Sequence, residues 1–213
     1  MNKVETALVA SPPRRWLQRW YETPTLIRLG GLPAPGSRAL ELGCGSGYGT
    51  QLILERFGAD HVDAVDLDPA MIRRAQRRLD GHADRVCLAQ GSATDLPLSL
   101  DARDGSYDAV FDFGIIHHIP NWRDALDETV RVLKPGGRFY FDEVTAIALA
   151  SRTYRLLFDH PEYDRFTAEE FVTALQERGL AVDDRVLTRR SGRYVLGVAR
   201  RTAGREAGPT AAE

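Results

Sequence analysis

The chain has 213 residues with 28 basic and 30 acidic side chains, enough for one domain with a full core and too nearly neutral to suggest a polyanionic partner such as DNA. Its two cysteines, Cys44 and Cys87, form neither a disulfide framework nor a metal-type CxxC pair and read as reduced thiols. The opening MNKVETALVASPPRRW lacks the continuous apolar core of a signal peptide, and no stretch approaches the roughly eighteen apolar residues of a membrane span, so a soluble cytoplasmic protein is expected.

Residues 14–29, RRWLQRWYETPTLIRL, set Trp16, Leu17, Trp20 and Tyr21 at helical spacing among arginines, and Pro33 and Pro35 separate them from the strand-like SRALEL. The segment reads as a helix packed outside the main sheet. Its aromatic and basic content also suits a membrane surface, a reading weakened by its short length and by Glu22.

From residue 38 strands and helices alternate: RALEL, TQLILERF, VDAVDL, PAMIRRAQRRL, VCLAQ, a long loop, YDAVFDF, WRDALDETVRVL and RFYFDE. Short apolar strands between amphipathic helices imply a parallel sheet covered on both faces. Asp68 is placed to cap the helix that Pro69 begins, and Asn121 to cap the next, whose stripe of Leu126, Val130 and Leu133 is stopped by Pro135 and Gly136. Thr167 and Glu170 form a capping box for AEEFVTALQER, closed by Gly179. AVDDRVLTRR and RYVLGVARR, joined across Ser191 and Gly192, read as an antiparallel hairpin, and the tail 202–213 as disordered. The arginines of RRAQRRL read as a solvated helix face.

The stretch ELGCGSGYG, residues 41–49, places Gly43, Gly45, Gly47 and Gly49 at alternate positions in the first strand-to-helix turn. Glycine costs backbone entropy, so this density signals a need for bare backbone. In an open parallel sheet that turn lines the ligand crevice. A nicotinamide dinucleotide fits poorly, because the sixth place of GxGxxG falls on Tyr48 or on Thr50; no Gly-Lys-Ser/Thr comes after the turn for a nucleoside triphosphate.

ELGCGSG resembles motif I of the class I S-adenosylmethionine-dependent methyltransferases, E/DxGxGxG, and further resemblances continue in the family's order. VDAVDLDPAMI is similar to motif II, GSATDLP to the GDAxxLP segment, YDAVFDFGIIHHI to the fourth-strand motif, and RVLKPGGRFYF to the LKPGG turn before the fifth strand. The likeness covers residues 38–144 and points to the small-molecule, methyltransferase type 11-like branch. It implies an α/β fold with a Rossmann-like, seven-stranded, mostly parallel sheet, helices on both faces and a C-terminal antiparallel hairpin. The expected organisation is a single methyltransferase domain over 1–201, with a cap helix at 14–29 and a lid-like insertion at 145–166.

The implied cofactor, S-adenosylmethionine, is a zwitterionic amino acid on a sulfonium joined to adenosine. The resemblance assigns its amino-acid and ribose part to Glu41, Gly43, Gly45 and Gly47, its ribose hydroxyls to Asp66, and its adenine to Leu67, Ser92 and Ala93, with Asp112 at the fourth strand's end. Met71 suits either the adenine face or ordinary helix core. Ser92 stands where relatives often carry aspartate, so its adenine contact lacks charge; Asp95 suits either a substitute acceptor or a cap of the loop.

Methyl transfer needs alignment and water exclusion, and a base only where the acceptor carries a proton. The candidates just past the strand ends are Tyr48, Asp112, His117, His118, Asp142 and Glu143, with His117, Asp142 and Glu143 leading; the His-His pair also suits a backbone-shaping role. No ligand spacing demands a metal. Tyr154, Phe158, Tyr163 and Phe166 are placed to line an acceptor pocket or to pack a helix on the sheet. The leading reading is transfer to a small-molecule or lipid-like acceptor, with nucleic acid an unlikely partner and the oligomeric state open. The alternatives are an RNA or protein methyltransferase, or a non-catalytic S-adenosylmethionine-binding regulator.

Overall fold

The computed structural model describes residues 11–96, 100–151 and 163–202. Helix α1 (Pro12–Leu17) starts at Ser11, whose hydroxyl accepts from Arg14 N at 3.4 Å, and continues through wider, π-type turns at Gln18–Glu22 into α2 (Thr23–Gly30). Helix α2 packs against a face of the sheet. Leu26 is buried with Ala39, Phe57, Tyr140 and Val198, and a Cβ on Gly30 would stand 2.7 Å from Val198 and 2.9 Å from Tyr140. Glycine at this place lets the helix lie flat on the sheet.

The remaining elements are β1 (Arg38–Leu42), α3 (Tyr48–Leu52) prolonged by π-type turns at Ile53–Phe57, β2 (His61–Asp66), α4 (Pro69–Arg78), β3 (Val86–Gln90), β4 (Tyr107–Asp112), α5 (Trp122–Val132), β5 (Leu133–Val144), α6 (Ala146–Leu149), α7 (Ala168–Glu177), β6 (Leu180–Ala181), β7 (Val186–Arg189) and β8 (Tyr194–Arg201). The strand order is β3-β2-β1-β4-β5-β8-β6, with β7 pairing the other end of β8. The pairings among β1 to β5 are parallel; β8 runs antiparallel to β5, β6 and β7. The expected seven-stranded pattern holds, its last place shared by the short β6 and β7, and Ser191 and Gly192 turn the predicted hairpin.

Strands β1, β2 and β4 are buried along nearly their whole length, as a sheet covered on both faces requires. On one face Trp122, Phe166 and Phe171 cluster, with ring centroids 4.8 Å apart for Trp122 and Phe166. On the other, Phe111 stacks on Tyr140 at 4.6 Å and meets Phe57 edge-on at 4.7 Å. Each such ring contributes on the order of 1.5–3 kcal/mol by leaving water.

Asp68 caps α4 by accepting from Ala70 N at 2.7 Å, and the Thr167–Glu170 box closes reciprocally at 3.1 and 2.8 Å. Asn121 does not cap α5; its side-chain amide instead donates to Asp124 at 2.6 Å. The predicted helix stripe also ends early. Leu133 already pairs with Tyr107 as the first residue of β5, and the Pro135–Gly137 turn is absorbed as an irregularity in that strand.

Within 145–166, Phe166 packs into the core at 2 % exposure and Tyr163 is exposed, so of these two neither forms an enclosed aromatic wall. Tyr154 and Phe158 lie outside the described residues, as does the tail beyond Thr202.

Candidate active site

The strand order reverses beside β1, and the turns leaving β1, β2, β4 and β5 converge at their carboxyl ends. The glycine turn after β1 is held from below by Cys44 N donating to Val65 O at 2.8 Å. Its glycines serve different ends. A Cβ on Gly43 would collide with Ile115 from the turn after β4, and one on Gly47 would stand 3.0 Å from Ala75 of α4, so these positions answer to the chain's own packing. Gly45, at φ +51°, has nothing within 4 Å in its Cβ direction and presents the open backbone of the turn. Gly49 lies inside α3, where a Cβ would collide with the Glu41 carboxylate.

Glu41 is buried at 2 % exposure and accepts from the Thr50 hydroxyl. Burial pushes its carboxyl up to about 8, and the negative charges of Asp66 and Asp112 add to the rise against the Thr50 bond. Asp66 ends β2 and draws the two turns together: Oδ2 accepts from Gly45 N at 2.8 Å and Oδ1 from Asp68 N at 2.9 Å. Its carboxyl is raised by burial, which these backbone bonds oppose. Leu67 beside it is 68 % exposed. Beyond β3, the Ser92 hydroxyl accepts from Thr94 N at 3.1 Å and lies 2.7 Å from Thr94 Oγ1; Ser92 also bridges Asp95, and Ala93 is buried.

Asp112 and Glu143 fix the turn after β4. Asp112, fully buried, accepts from Gly114 N at 3.1 Å and Ile115 N at 2.9 Å. Burial holds its carboxyl well above the usual range, and the Glu143 charge adds to this. Glu143 accepts from Ile116 N at 2.6 Å, His117 N at 3.3 Å and Val144 N at 3.1 Å, and faces His117 Nδ1 at 2.5 Å. Burial raises it to about 7. Its side chain is wholly enclosed, so Glu143 orients the His117 ring and the turn around it. His118 stacks on His117 with centroids 4.1 Å apart.

Asp142, one residue earlier on β5, belongs to a different constellation. It lies 3.8 Å from Arg14 Nη2, and Arg14 Nη1 in turn holds Glu22 at 2.5 Å. Burial and the Glu22 charge raise Asp142 well above the carboxylate range, with Arg14 opposing. The sequence-derived trio is therefore divided: His117 and Glu143 are joined, and Asp142 is engaged by the N-terminal segment. Gly114 lies between them, its Cβ direction 3.5 Å from Asp142 O and 3.7 Å from His117 Cε1.

That segment also roofs the glycine turn. Tyr48 donates to Arg15 O at 3.3 Å, and the guanidiniums of Arg15 and Arg78 lie 6.0 and 5.6 Å from its ring. The reading of RRAQRRL as wholly solvated fails at Arg78, whose Nε donates to Ser46 O at 2.8 Å. Arg14, Arg15, Glu22 and Arg78 were missed in the sequence because their partners lie 8 to 128 positions away; only the i, i+8 spacing of Arg14 and Glu22 offered a local cue.

The arrangement fits the expected cofactor on two observations. Gly45 leaves open backbone beside the Asp66 carboxylate, whose charge reaches the buried Glu41, suited to a cation, and Arg15 Nε is buried with no hydrogen-bond partner, suited to a carboxylate.

Comparison with known proteins agrees. Residues 39–137 match the family model described as a methyltransferase domain. The chain is 33 % identical over 133 residues to a probable phthiotriol/phenolphthiotriol dimycocerosates methyltransferase of Mycobacterium ulcerans, covering 62 % of this chain and 47 % of that protein. It is 30 % identical over 145 residues to a fatty-acid O-methyltransferase of Mycolicibacterium smegmatis, covering 68 % and 47 %. The chain thus spans about half the length of the curated relatives it matches. A crystal structure of a SAM-dependent methyltransferase from Aquifex aeolicus superposes with a TM-score of 0.71 at 18 % identity, covering 95 % of this chain and all of that one, 100 %.

Proposed function

Because the chain belongs to the class I S-adenosylmethionine-dependent methyltransferases, we propose that it transfers the methyl group of this cofactor to a small-molecule or lipid-like acceptor. The observation that carries the cofactor half is the open Gly45 backbone beside Asp66, with the buried Glu41 within reach of the Asp66 charge. The acceptor half is supported by relatives named for dimycocerosates and fatty acids.

When bound, the cofactor supplies a methyl carbon made electrophilic by its positive sulfur. The chain's own residues do the rest. Asp66, at the tip of β2, would accept from the ribose hydroxyls, and Glu41 would offer negative charge toward the amino-acid end. Arg15 brings positive charge on the roof, where a carboxylate finds a donor at Nε. Leu67 would offer apolar surface to the adenine, and Ser92 and Ala93 would be the residues to meet its edge. His117, its Nδ1 fixed by Glu143, takes the acceptor's proton on Nε2 where the acceptor carries one. Asp142, clasped by Arg14, positions the roof over the acceptor side.

The test is release of S-adenosylhomocysteine with a panel of fatty acids, long-chain alcohols and small amines. Turnover with an apolar acceptor supports the proposal. Tight cofactor binding without turnover on any of the panel or on an untreated cell extract would assign the chain to non-catalytic binding, and turnover on that extract that nuclease treatment abolishes would assign it to an RNA acceptor.

A further inference from the structure

The N-terminal helical segment carries its apolar side chains outward and its polar ones inward. Trp16, Leu17, Trp20 and Tyr21 are 64, 40, 56 and 41 % exposed, whereas Gln18 and Glu22 are 8 and 6 % exposed. A helix lying on a core ordinarily does the reverse. The inward choice has its cause in Arg14 and Asp142, which surround Glu22. The outward choice needs another. Single exposed apolar residues are common, but these form a contiguous patch over less than two turns.

The patch is ringed by cations. Arg19 and Arg56 lie 5.8 and 5.6 Å from the Trp20 ring, and Arg189 of β7 lies 5.8 Å from Tyr21; Glu55, 3.3 Å from Arg19, offsets one of these charges. We propose that this face docks on an anionic lipid surface, with the rings at headgroup depth and the guanidiniums on lipid phosphates. Tryptophan and tyrosine partition to such a boundary because one end of each ring is apolar and the other polar. Charge selects this occupant over a second copy of the chain: a two-fold contact would bring the same arginines face to face, a repulsion that anionic lipid turns into attraction. Arg15, in the same segment, touches Tyr48 beside the glycine turn, so docking would bring the site's roof to the surface. The docking is independent of the acceptor proposed above and stands or falls separately from it.

The experiment is sedimentation with phosphatidylglycerol-containing vesicles and with pure phosphatidylcholine vesicles, together with tryptophan emission. Trp122 is fully buried, so a vesicle-induced blue shift belongs to Trp16 and Trp20. Binding should favour the anionic vesicles and weaken with salt. Trp16→Ser/Trp20→Ser should lose about tenfold or more, and Arg56→Gln and Arg189→Gln about fivefold each, with the thermal midpoint and the S-adenosylmethionine affinity unchanged. Should the double variant fold poorly, quenching of the native protein by brominated lipids gives the same reading. Absence of binding to anionic vesicles, or binding undiminished in the tryptophan variants, would overturn the proposal. So would self-association in the ultracentrifuge that the tryptophan variants abolish, which would assign the face to a second copy.

Discussion

Glu41 carries a proton at neutral pH, because burial and the neighbouring acids raise its carboxyl to about 8. A bound cation favours the ionised form, so S-adenosylmethionine should bind with release of a proton near pH 7, and its affinity should rise toward pH 8 and then level. Calorimetry in buffers of different ionisation enthalpy measures this, and Glu41→Gln should abolish the release; no proton exchange in the native protein would contradict it. Asp66→Ala should weaken the cofactor by about 1.5–3 kcal/mol, the range for hydrogen bonds to a charged group, with the fold intact. An unchanged dissociation constant would remove Asp66 from the ribose. For an acceptor that must lose a proton, His117→Ala should lower kcat by about 10²- to 10⁴-fold and flatten the rate's dependence on pH. A raised KM with the pH profile kept would make His117 a positioning residue. Glu143→Gln should shift that profile, since Glu143 holds His117 Nδ1.

At the level of elements, caps separate side chains that terminate a helix from those that merely precede one. Thr167→Ala should cost about 1 kcal/mol of unfolding free energy, and Asn121→Ala clearly less, because only Thr167 satisfies a helix amide through its side chain. Denaturant midpoints compare the two. The same contrast shows what a sequence displays. Alternating strands and helices, the Asp68 cap and the Thr167–Glu170 box are local patterns set by period and spacing, and each was legible. Glu41, Asp66 and the glycine turn were legible as a candidate site because the motif lies within one strand-turn-helix unit and the next strand. The clasp of His117 by Glu143 spans 26 positions, and that of Asp142 by Arg14 joins β5 to the N-terminal helix. Such pairings come from strand order, which spacing along the chain does not encode. The early end of α5 was hidden for a related reason: Leu133 suits a helix stripe, and its pairing with Tyr107 decides otherwise.

Across the whole molecule, the chain should bind S-adenosylmethionine and S-adenosylhomocysteine and not NADH, a difference that titration measures directly. Stability should fall as pH rises from about 5 to 8. Glu41 and Glu143 are raised to about 8 and about 7 in the folded state, against an ordinary value of 4.5. The stability they contribute is therefore complete below 4.5 and is lost as pH passes their folded values, since the unfolded chain releases these protons first. Urea midpoints at pH 5.5 and 8 test this, and Glu41→Gln should make the decline shallower. Among the described residues no helix is long and apolar enough to cross a membrane. The seating of α2 on β8 bears on the order of assembly. Gly30 fits against Val198, and β8 completes the sheet beside β5. On a ribosome, α2 emerges long before its last partner strand, and its seat is complete only after more than 160 further residues, through Val198. The glycine turn can form early, but the segment carrying Arg14 and Arg15 gains Asp142 only when β5 is made and its seat on Val198 only when β8 follows, so the complete site is a late property of the growing chain.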